Sequence, residues 1–221
     1  MLVGHLAAGL VGKRVAPKIS LGTLVLAAVA ADLLWCVFLI TGIEQVRFVP
    51  AATTQNSLQA IHIPYSHGLL LDLVWAGLFA GAYLWRRHFP RGARVLFAAV
   101  VSHWVLDCIS HKPDMPLAPG VAGRFGLGLW NSIPATVAVE GGFWAVALFL
   151  YARGNKPRNR AGVYAFWGGV VLVTAAWYNN VAGPPPAPNV VAAGMSSLVF
   201  FSLIVAWAYW MNQVRAVPAP S

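Results

Sequence analysis

Polar side chains that can bind metal ions recur at every fourth position in one apolar stretch of the chain. His103, Asp107 and His111 are spaced i, i+4, i+8. On an α-helix, successive members of this series are offset by only about 40°, so all three project from one face. An ionisable side chain at membrane depth costs roughly 2.5–3.5 kcal/mol on insertion scales and usually marks a functional position. Two imidazoles and a carboxylate on one stripe provide half of a metal site, and other segments must supply the remainder.

The composition indicates which kind of protein carries this stripe. Of the 221 residues, 59% are hydrophobic and 10% are charged, whereas a soluble domain carries about a quarter charged residues. We therefore expect one all-α, polytopic integral membrane domain over residues 1–221. The apolar runs predict six transmembrane helices at about 19–42, 66–86, 92–111, 131–151, 161–181 and 190–212. Met1–Val11 is too short to span and is predicted to form a re-entrant or interfacial helix.

The basic residues predict the orientation of these helices. The net charge of +9 comes from short basic clusters between the apolar runs, which favours a lipid bilayer as the partner and argues against nucleic acid. Twelve of the 15 lysine and arginine residues fall on one side of the predicted topology. By the positive-inside rule, both termini are cytoplasmic, as expected for a multi-pass protein of the bacterial inner (plasma) membrane.

Acidic residues are rare, and most of them fall inside the predicted spans. Four of the six do so, namely Asp32, Asp72, Asp107 and Glu140. Asp72 follows His67 by five residues, which is about 140° around a helix, so it is expected to face elsewhere. Counting about 1.5 Å per residue places the other polar groups in the outer half of the bilayer. The predicted ligands are His5, Asp32, His67, His103, Asp107, His111 and Glu140, a nitrogen and oxygen set that suits one to three ions of zinc or another first-row divalent metal.

Several short segments carry a resemblance to known proteins. Gly4-His5, Ala31-Asp32, Tyr65-Ser66-His67 and the segment from Ser102 to Asp107 resemble the membrane-bound metal-dependent hydrolase family (YdjM-like) over roughly residues 1–115. The order of the seven ligands is also similar to that of the zinc-dependent phospholipase C and single-strand nuclease superfamily, which consists of helical enzymes with multinuclear zinc clusters. Thr136 stands where that superfamily has a histidine before its glutamate, so the resemblance leaves a third ion one ligand short.

Together the ligand set and the resemblance predict a metal-dependent hydrolase, with a phosphoester of a lipid-linked substrate as the target. Asp32 and Glu140 are the candidate catalytic groups, as bridging ligands or general base. Lys112 and Arg124, in an outer loop, are the candidate contacts to a substrate phosphate. Residues 1–152 would carry the site and residues 153–221 would form two scaffold helices. Two alternatives remain open: a transporter or ion pathway that uses the same intramembrane groups, and a non-catalytic membrane scaffold.

Overall fold

The fold is all-α and polytopic, as the sequence predicts. We describe it from a computed structural model, which covers residues 1–49, 53, 58–184 and 188–216. The α-helices of these residues are α1 (Leu2–Val15), α2 (Leu21–Ala28), α3 (Ala30–Ile40), α4 (Leu69–Arg87), α5 (Pro90–Ser110), α6 (Ile133–Gly154), α7 (Arg160–Ala182) and α8 (Val190–Val214).

Short antiparallel strand pairs and one 3₁₀ turn lie at the ends of the helices. The longest pair joins β1 (Gln45–Phe48) to β2 (Leu58–His62). Two-residue pairs are formed by β3 (Met115–Pro116) with β4 (Arg124–Phe125), and by β5 (Lys156–Pro157) with β6 (Arg215–Ala216). A 3₁₀ helix at Leu129–Asn131 precedes α6. The β1–β2 hairpin and the β3–β4 pair lie in the two loops that the sequence places outside the membrane.

Five helices, α4 to α8, are each long and apolar enough to cross a membrane. Their ends agree with the predicted spans within about three residues. The first predicted span is different, because it consists of α2 and α3, which are bent by 54° at Val29. The segment Ala27-Ala28-Val29-Ala30-Ala31 contains no glycine or proline. No local sequence signal therefore marks the bend.

Helix α1 is a buried half-length helix. Its 14 residues make it about 21 Å long, too short to span a bilayer. It packs against α2, α5 and α6, and most of its residues are buried. The structure thus agrees with the expected short N-terminal helix, which inserts among the longer helices rather than lying beside them.

A buried lysine fixes the turn between α1 and α2. The ammonium of Lys13 donates to the carbonyl oxygens of Pro17 at 2.9 Å and Ile19 at 2.7 Å, and to Asn212 Oδ1 of α8 at 2.9 Å. All three donors of the ammonium are therefore used, and α8 is joined to the α1–α2 turn. This attachment holds the C-terminal end of α1 in place.

Replacing Lys13 by methionine should lower the stability of the protein in detergent. The variant leaves two carbonyl oxygens and an amide oxygen without their charged donor, and each such loss costs on the order of 1–3 kcal/mol. The matched control is Lys18→Met, because Lys18 is exposed. We expect a lower midpoint of thermal unfolding, followed by tryptophan fluorescence, for Lys13→Met only. Equal midpoints for the two variants would contradict the role assigned to Lys13.

A candidate metal centre between α3, α4 and α5

Two imidazoles and two carboxylates face one another at the centre of the helix bundle. His67 Nε2 lies 3.9 Å from Asp32 Oδ1 and 3.6 Å from Asp107 Oδ2. His103 Nε2 lies 3.8 Å and 3.2 Å from the same two oxygens. Each nitrogen therefore has both oxygens within 4 Å, and Asp32, His67 and His103 offer ligand atoms close enough together to share one ion. Asp32, His67, His103 and Asp107 are called the central quartet below.

The bend between α2 and α3 positions two members of the quartet. Because α2 ends at Ala28, its carbonyl oxygen is free to accept a hydrogen bond from His103 Nδ1 at 2.9 Å. The bend also begins α3 at Ala30, so that Asp32 lies in the first turn of a helix. A carboxylate is stabilised there by the helix dipole. Discontinuous membrane helices commonly place ion-binding groups in this way.

His67 is oriented by a chain of two neighbours. Its Nδ1 lies 2.7 Å from Ser66 Oγ, and Ser66 Oγ donates to Glu44 Oε2 at 2.5 Å. Glu44 Oε1 also accepts the backbone N–H groups of Tyr65 and Ser66, each at 2.8 Å. Burial raises the pKa of Glu44 above its ordinary value, and the three hydrogen bonds from Ser66 and Tyr65 oppose that shift by stabilising the carboxylate. The glutamate thus holds the segment before α4 and, through it, the ring of His67.

These contacts decide which ring nitrogen of each histidine carries a proton. Ala28 offers only a carbonyl oxygen, so His103 must donate from Nδ1. Ser66 gives its one proton to the Glu44 carboxylate, so His67 must also donate from Nδ1. In the neutral form, both rings then present the lone pair of Nε2 to the space inside the quartet. Hydrogen bonding of the outer nitrogen to a carboxylate, carbonyl or other acceptor is how proteins orient histidine ligands toward a metal.

The spacing inside the quartet fits a divalent cation better than direct hydrogen bonding. Ligand atoms about 2.0–2.2 Å from a tetrahedral zinc ion lie roughly 3.3 Å from one another, close to the 3.2–3.9 Å observed here. The His103 side chain is 1% exposed, and its Nε2 is buried without a hydrogen-bond partner among the described residues. A buried polar atom without a partner is costly. The donor types, their spacing and this unpaired nitrogen all fit a metal ion such as Zn²⁺.

His5 and the amino group of Met1 lie on the other side of Asp107. The Met1 ammonium donates to Asp107 Oδ1 at 2.6 Å and lies 3.1 Å from His5 Nε2. The ring of His5 stacks on that of His103, with centroids 3.7 Å apart. His5, His103 and Asp107 also lie close enough to share an ion, but here the ammonium provides the positive charge beside Oδ1. Met1 lies at the opposite end of α1 from Lys13 and Arg14. The positive-inside rule therefore predicts a membrane side for the basic end of this helix, and makes no separate prediction for Met1.

Two further predicted ligands, His111 and Glu140, have other partners. His111 Nδ1 pairs with Asp114 Oδ1 at 2.9 Å, and its ring packs on Trp130. Each carboxylate oxygen of Glu140 accepts an indole N–H, from Trp130 at 2.9 Å and from Trp177 at 3.0 Å. Neither residue belongs to the groups of side chains that lie close enough to share an ion. The i, i+4, i+8 stripe therefore divides, because α5 ends at Ser110 and His111 adopts an extended backbone.

The two predicted phosphate contacts lie in the loop that follows α5. The guanidinium of Arg124 is exposed and donates to the carbonyl oxygens of Asp114 at 3.0 Å and Ile61 at 3.5 Å. It thereby links the β3–β4 pair to β2. Lys112 is half-buried, and its carbonyl oxygen lies where a Cβ at Gly126 would be. The role of Lys112 and Arg124 in substrate binding stays a prediction.

Two acids near the site were not among the predicted ligands: Glu44, which the sequence did not single out, and Asp72. Glu44 follows α3 in a polar loop segment, and no spacing rule connects it to a histidine 23 positions later. Asp72 is expected to face away from His67, yet it is buried, and neither of its oxygens has a hydrogen-bond partner among the described residues. It also interacts electrostatically with His103 and Asp107. The sequence signal that could have placed Asp72 near the site is its position as an acid inside an apolar span.

Replacing Glu44 by glutamine should change the tautomer of His67. The amide NH₂ can donate to Ser66 Oγ, which then donates its own proton to His67 Nδ1 and leaves the proton of that ring on Nε2. We expect the ¹⁵N chemical shifts of the His67 ring nitrogens to exchange roles in NMR spectra of labelled protein. The matched control is Asp114→Asn, which makes the same change beside His111. An unaltered His67 spectrum in Glu44→Gln would contradict the orienting chain.

Comparison with known proteins adds no assignment to this geometry. No protein-family model matches the chain, and neither a curated protein nor a solved structure was found that is similar to it. The chain is a helical membrane protein with a possible histidine and aspartate metal-binding group near the bend of its first span.

Proposed function

We propose that the protein is a membrane-embedded, metal-dependent hydrolase whose ion is held by the central quartet. The observation that carries the proposal is the pair of imidazole Nε2 lone pairs, on His67 and His103, that face two carboxylates across a space of the right size. Without a cation, these lone pairs and anionic oxygens repel one another. A divalent ion would offset that repulsion and the desolvation of the two acids.

Zinc is the ion that this set of ligands suits best. Two histidine nitrogens and two carboxylate oxygens are borderline ligands, which zinc and other first-row divalent metals accept. The second shell is also typical of such sites, because each histidine donates its outer N–H to an acceptor. One ion is best supported, since the Met1 ammonium provides the positive charge beside Asp107 Oδ1.

The roles of the chain's own residues follow from their exposure and partners. A bound divalent ion supplies Lewis acidity, which activates water and polarises a phosphoryl oxygen. Asp32 is the most exposed member of the quartet, at 17% for its side chain against 7% or less for the other three. It can therefore meet a water that enters the site. Because a catalytic zinc keeps one coordination position open for water, we assign Asp32 the role of general base beside the ion rather than that of a fourth ligand. Glu140 is less suited to that role, because both of its oxygens already accept indole N–H groups.

The class of substrate is inferred from the depth of the site. The quartet lies inside the helix bundle, toward the end of α5 that is farther from Arg91 and Arg94. If the arginine-rich ends are cytoplasmic, as the charge distribution indicates, the site belongs to the outer half of the bacterial inner membrane. A phosphoester carried by a lipid is the substrate that can reach such a site from the bilayer. The resemblance to the YdjM-like hydrolases supports the same reaction class.

The two alternatives differ from this proposal in what the polar groups must do. A non-catalytic scaffold requires that buried polar groups pair with one another, whereas His103 Nε2 and both oxygens of Asp72 have no hydrogen-bond partner among the described residues. A transporter requires polar groups along a path to both faces of the membrane. The two possible ligand groups found in the described part of the chain share His103 and so form one local cluster rather than a path.

Removing one ligand nitrogen should remove the metal while the fold is kept. In His103→Asn, the side-chain amide can still donate to the Ala28 carbonyl, but it offers no counterpart of Nε2. We expect close to one equivalent of zinc in wild-type protein grown with the metal and purified without chelators, and a loss of most of it in the variant. Mass spectrometry of the metal content measures both.

Two controls make that measurement decisive. His62→Asn makes the same change at an exposed histidine of β2 and should retain the wild-type metal content. His111→Asn tests whether His111 belongs to the ligand set, and we expect retention there also. Absence of metal from the wild type, or full retention in His103→Asn with helical circular dichroism preserved, would overturn the proposal.

Replacing Asp32 by asparagine should reduce turnover. General bases contribute typically 10²–10⁴-fold to a rate, so we expect a decrease of about 10²-fold or more in phosphate release. The substrate is phosphatidic acid in nanodiscs, and Asp114→Asn is the matched control. If the wild type releases phosphate no faster with zinc than with excess chelator, this reaction is excluded even where metal is bound.

A further inference from the structure

A large apolar groove runs beside the candidate metal centre. It is bounded by α1, α5 and α6 and has a volume of about 1160 Å³, slightly above the range of about 300–1,000 Å³ usual for small-molecule sites. Helix α1 packs against both α5 and α6, so it forms the bottom of the groove between these two helices. Three of the four α1 residues that line the groove are small, namely Gly4, Ala7 and Ala8, and the fourth is Val11.

The chemistry of the groove suits a hydrocarbon chain. Among the described residues that line it, Ser102 carries the one polar side chain, and its hydroxyl donates to the Ala99 carbonyl of its own helix at 2.7 Å. The walls therefore offer no free hydrogen-bond partner to an occupant. Along α5, the lining extends from Phe97 to Leu106, which is about 14 Å of helix. That length is close to half of the roughly 30 Å hydrocarbon core of a bilayer, and so to one leaflet.

The groove is continuous with the surface that faces the bilayer. Phe97, Val105, Phe143 and Val146 line it and are also 37–58% exposed. They belong to α5 and α6, both long and apolar enough to span a membrane. A lipid chain can therefore enter the groove sideways from the bilayer without crossing a polar surface.

The groove and the candidate site lie on neighbouring faces of α5. Four lining residues, Gly4, Ser102, Leu106 and Val139, are direct sequence neighbours of His5, His103, Asp107 and Glu140. Successive residues of a helix point about 100° apart, so α5 presents polar groups to the site and apolar groups to the groove. An amphiphile whose polar head lies near Asp32 could place its tail along α5.

We propose that the α1–α5–α6 groove binds one hydrocarbon chain of a phospholipid-type substrate whose phosphorylated head is presented to the central quartet. This inference rests on the proposed function and adds to it the part of the substrate that the protein recognises. The rival occupant is a helix of a second copy, since small residues in a membrane groove also favour helix packing. The groove is continuous with the surface that faces the bilayer, and it shares α5 with the candidate site. Both features favour a lipid as the occupant.

Filling the groove should remove this binding. A Cβ at Gly142 meets no atom within 4 Å, and the same is true of Gly168, which is exposed on α7. Gly142→Leu and Gly168→Leu are therefore the same substitution in open space, one inside the groove and one outside it. The probe is phosphatidic acid with a photoactivatable group in one acyl chain, in phosphatidylcholine nanodiscs, with crosslinked residues identified by peptide mass spectrometry.

In the wild type, we expect crosslinks to concentrate on α5 and α6 at groove residues, well above those on exposed Val171 and Leu172 of α7. Gly142→Leu should lower the groove crosslinks by about tenfold, corresponding to about 1.4 kcal/mol, and Gly168→Leu should leave them unchanged. Equal labelling of all bilayer-facing helices would overturn the inference, because the groove would then hold only ordinary bilayer lipid. So would crosslinks between two chains that are lost in Gly142→Leu, because the groove would then hold a second copy.

The zinc content of the same samples separates this inference from the proposed function. If zinc is bound in the wild type and in Gly142→Leu but crosslinking is uniform, the proposed metal site is retained and the proposed lipid groove is rejected. If crosslinking is selective for the groove in wild-type protein that binds no metal, the groove is retained as a lipid site and the proposed hydrolase function is rejected.

Discussion

The central constraint on this structure is the burial of the Asp107 carboxylate inside an apolar helix bundle. A carboxylate in this position needs positive charge or hydrogen-bond donors on both of its oxygens. Oδ1 receives the Met1 ammonium, and Oδ2 faces the Nε2 lone pairs of two imidazoles, where the proposed cation would supply the missing positive charge. Helix α1 brings both the Met1 ammonium and the ring of His5 to this carboxylate.

The bend in the first span contributes to the same cluster. A straight helix through Val29 would use the Ala28 carbonyl within its own hydrogen-bond ladder, and His103 would lose the acceptor that fixes its ring. The bend gives this oxygen to His103 and begins a new helix just before Asp32. A single interruption thus orients one member of the quartet and stabilises another. Glu44 does the equivalent for His67 by holding the segment that precedes α4.

The parts of this arrangement that depend on local periodicity could be predicted from the sequence. Hydropathy locates the spans, and i, i+4 spacing places His103 and Asp107 on one face of α5. The remaining features depend on contacts between distant segments. Nothing near Val29 breaks a helix, nothing near Glu44 indicates a partner in the segment before α4, and depth counting could not tell that Trp130 and Trp177 would engage Glu140. Depth along a helix restricts the height of a residue in the bilayer, but not the direction in which its side chain points.

Helix α5 contributes residues both to the candidate metal centre and to the apolar groove. Its polar face supplies His103 and Asp107 to the quartet, and its neighbouring face lines an apolar groove about one leaflet long. The indole N–H groups on Glu140 keep an acid of α6 satisfied beside that groove, so that the wall it belongs to stays apolar. Because α5 carries both faces, the proposed ion and the proposed lipid chain would lie on adjacent sides of one helix.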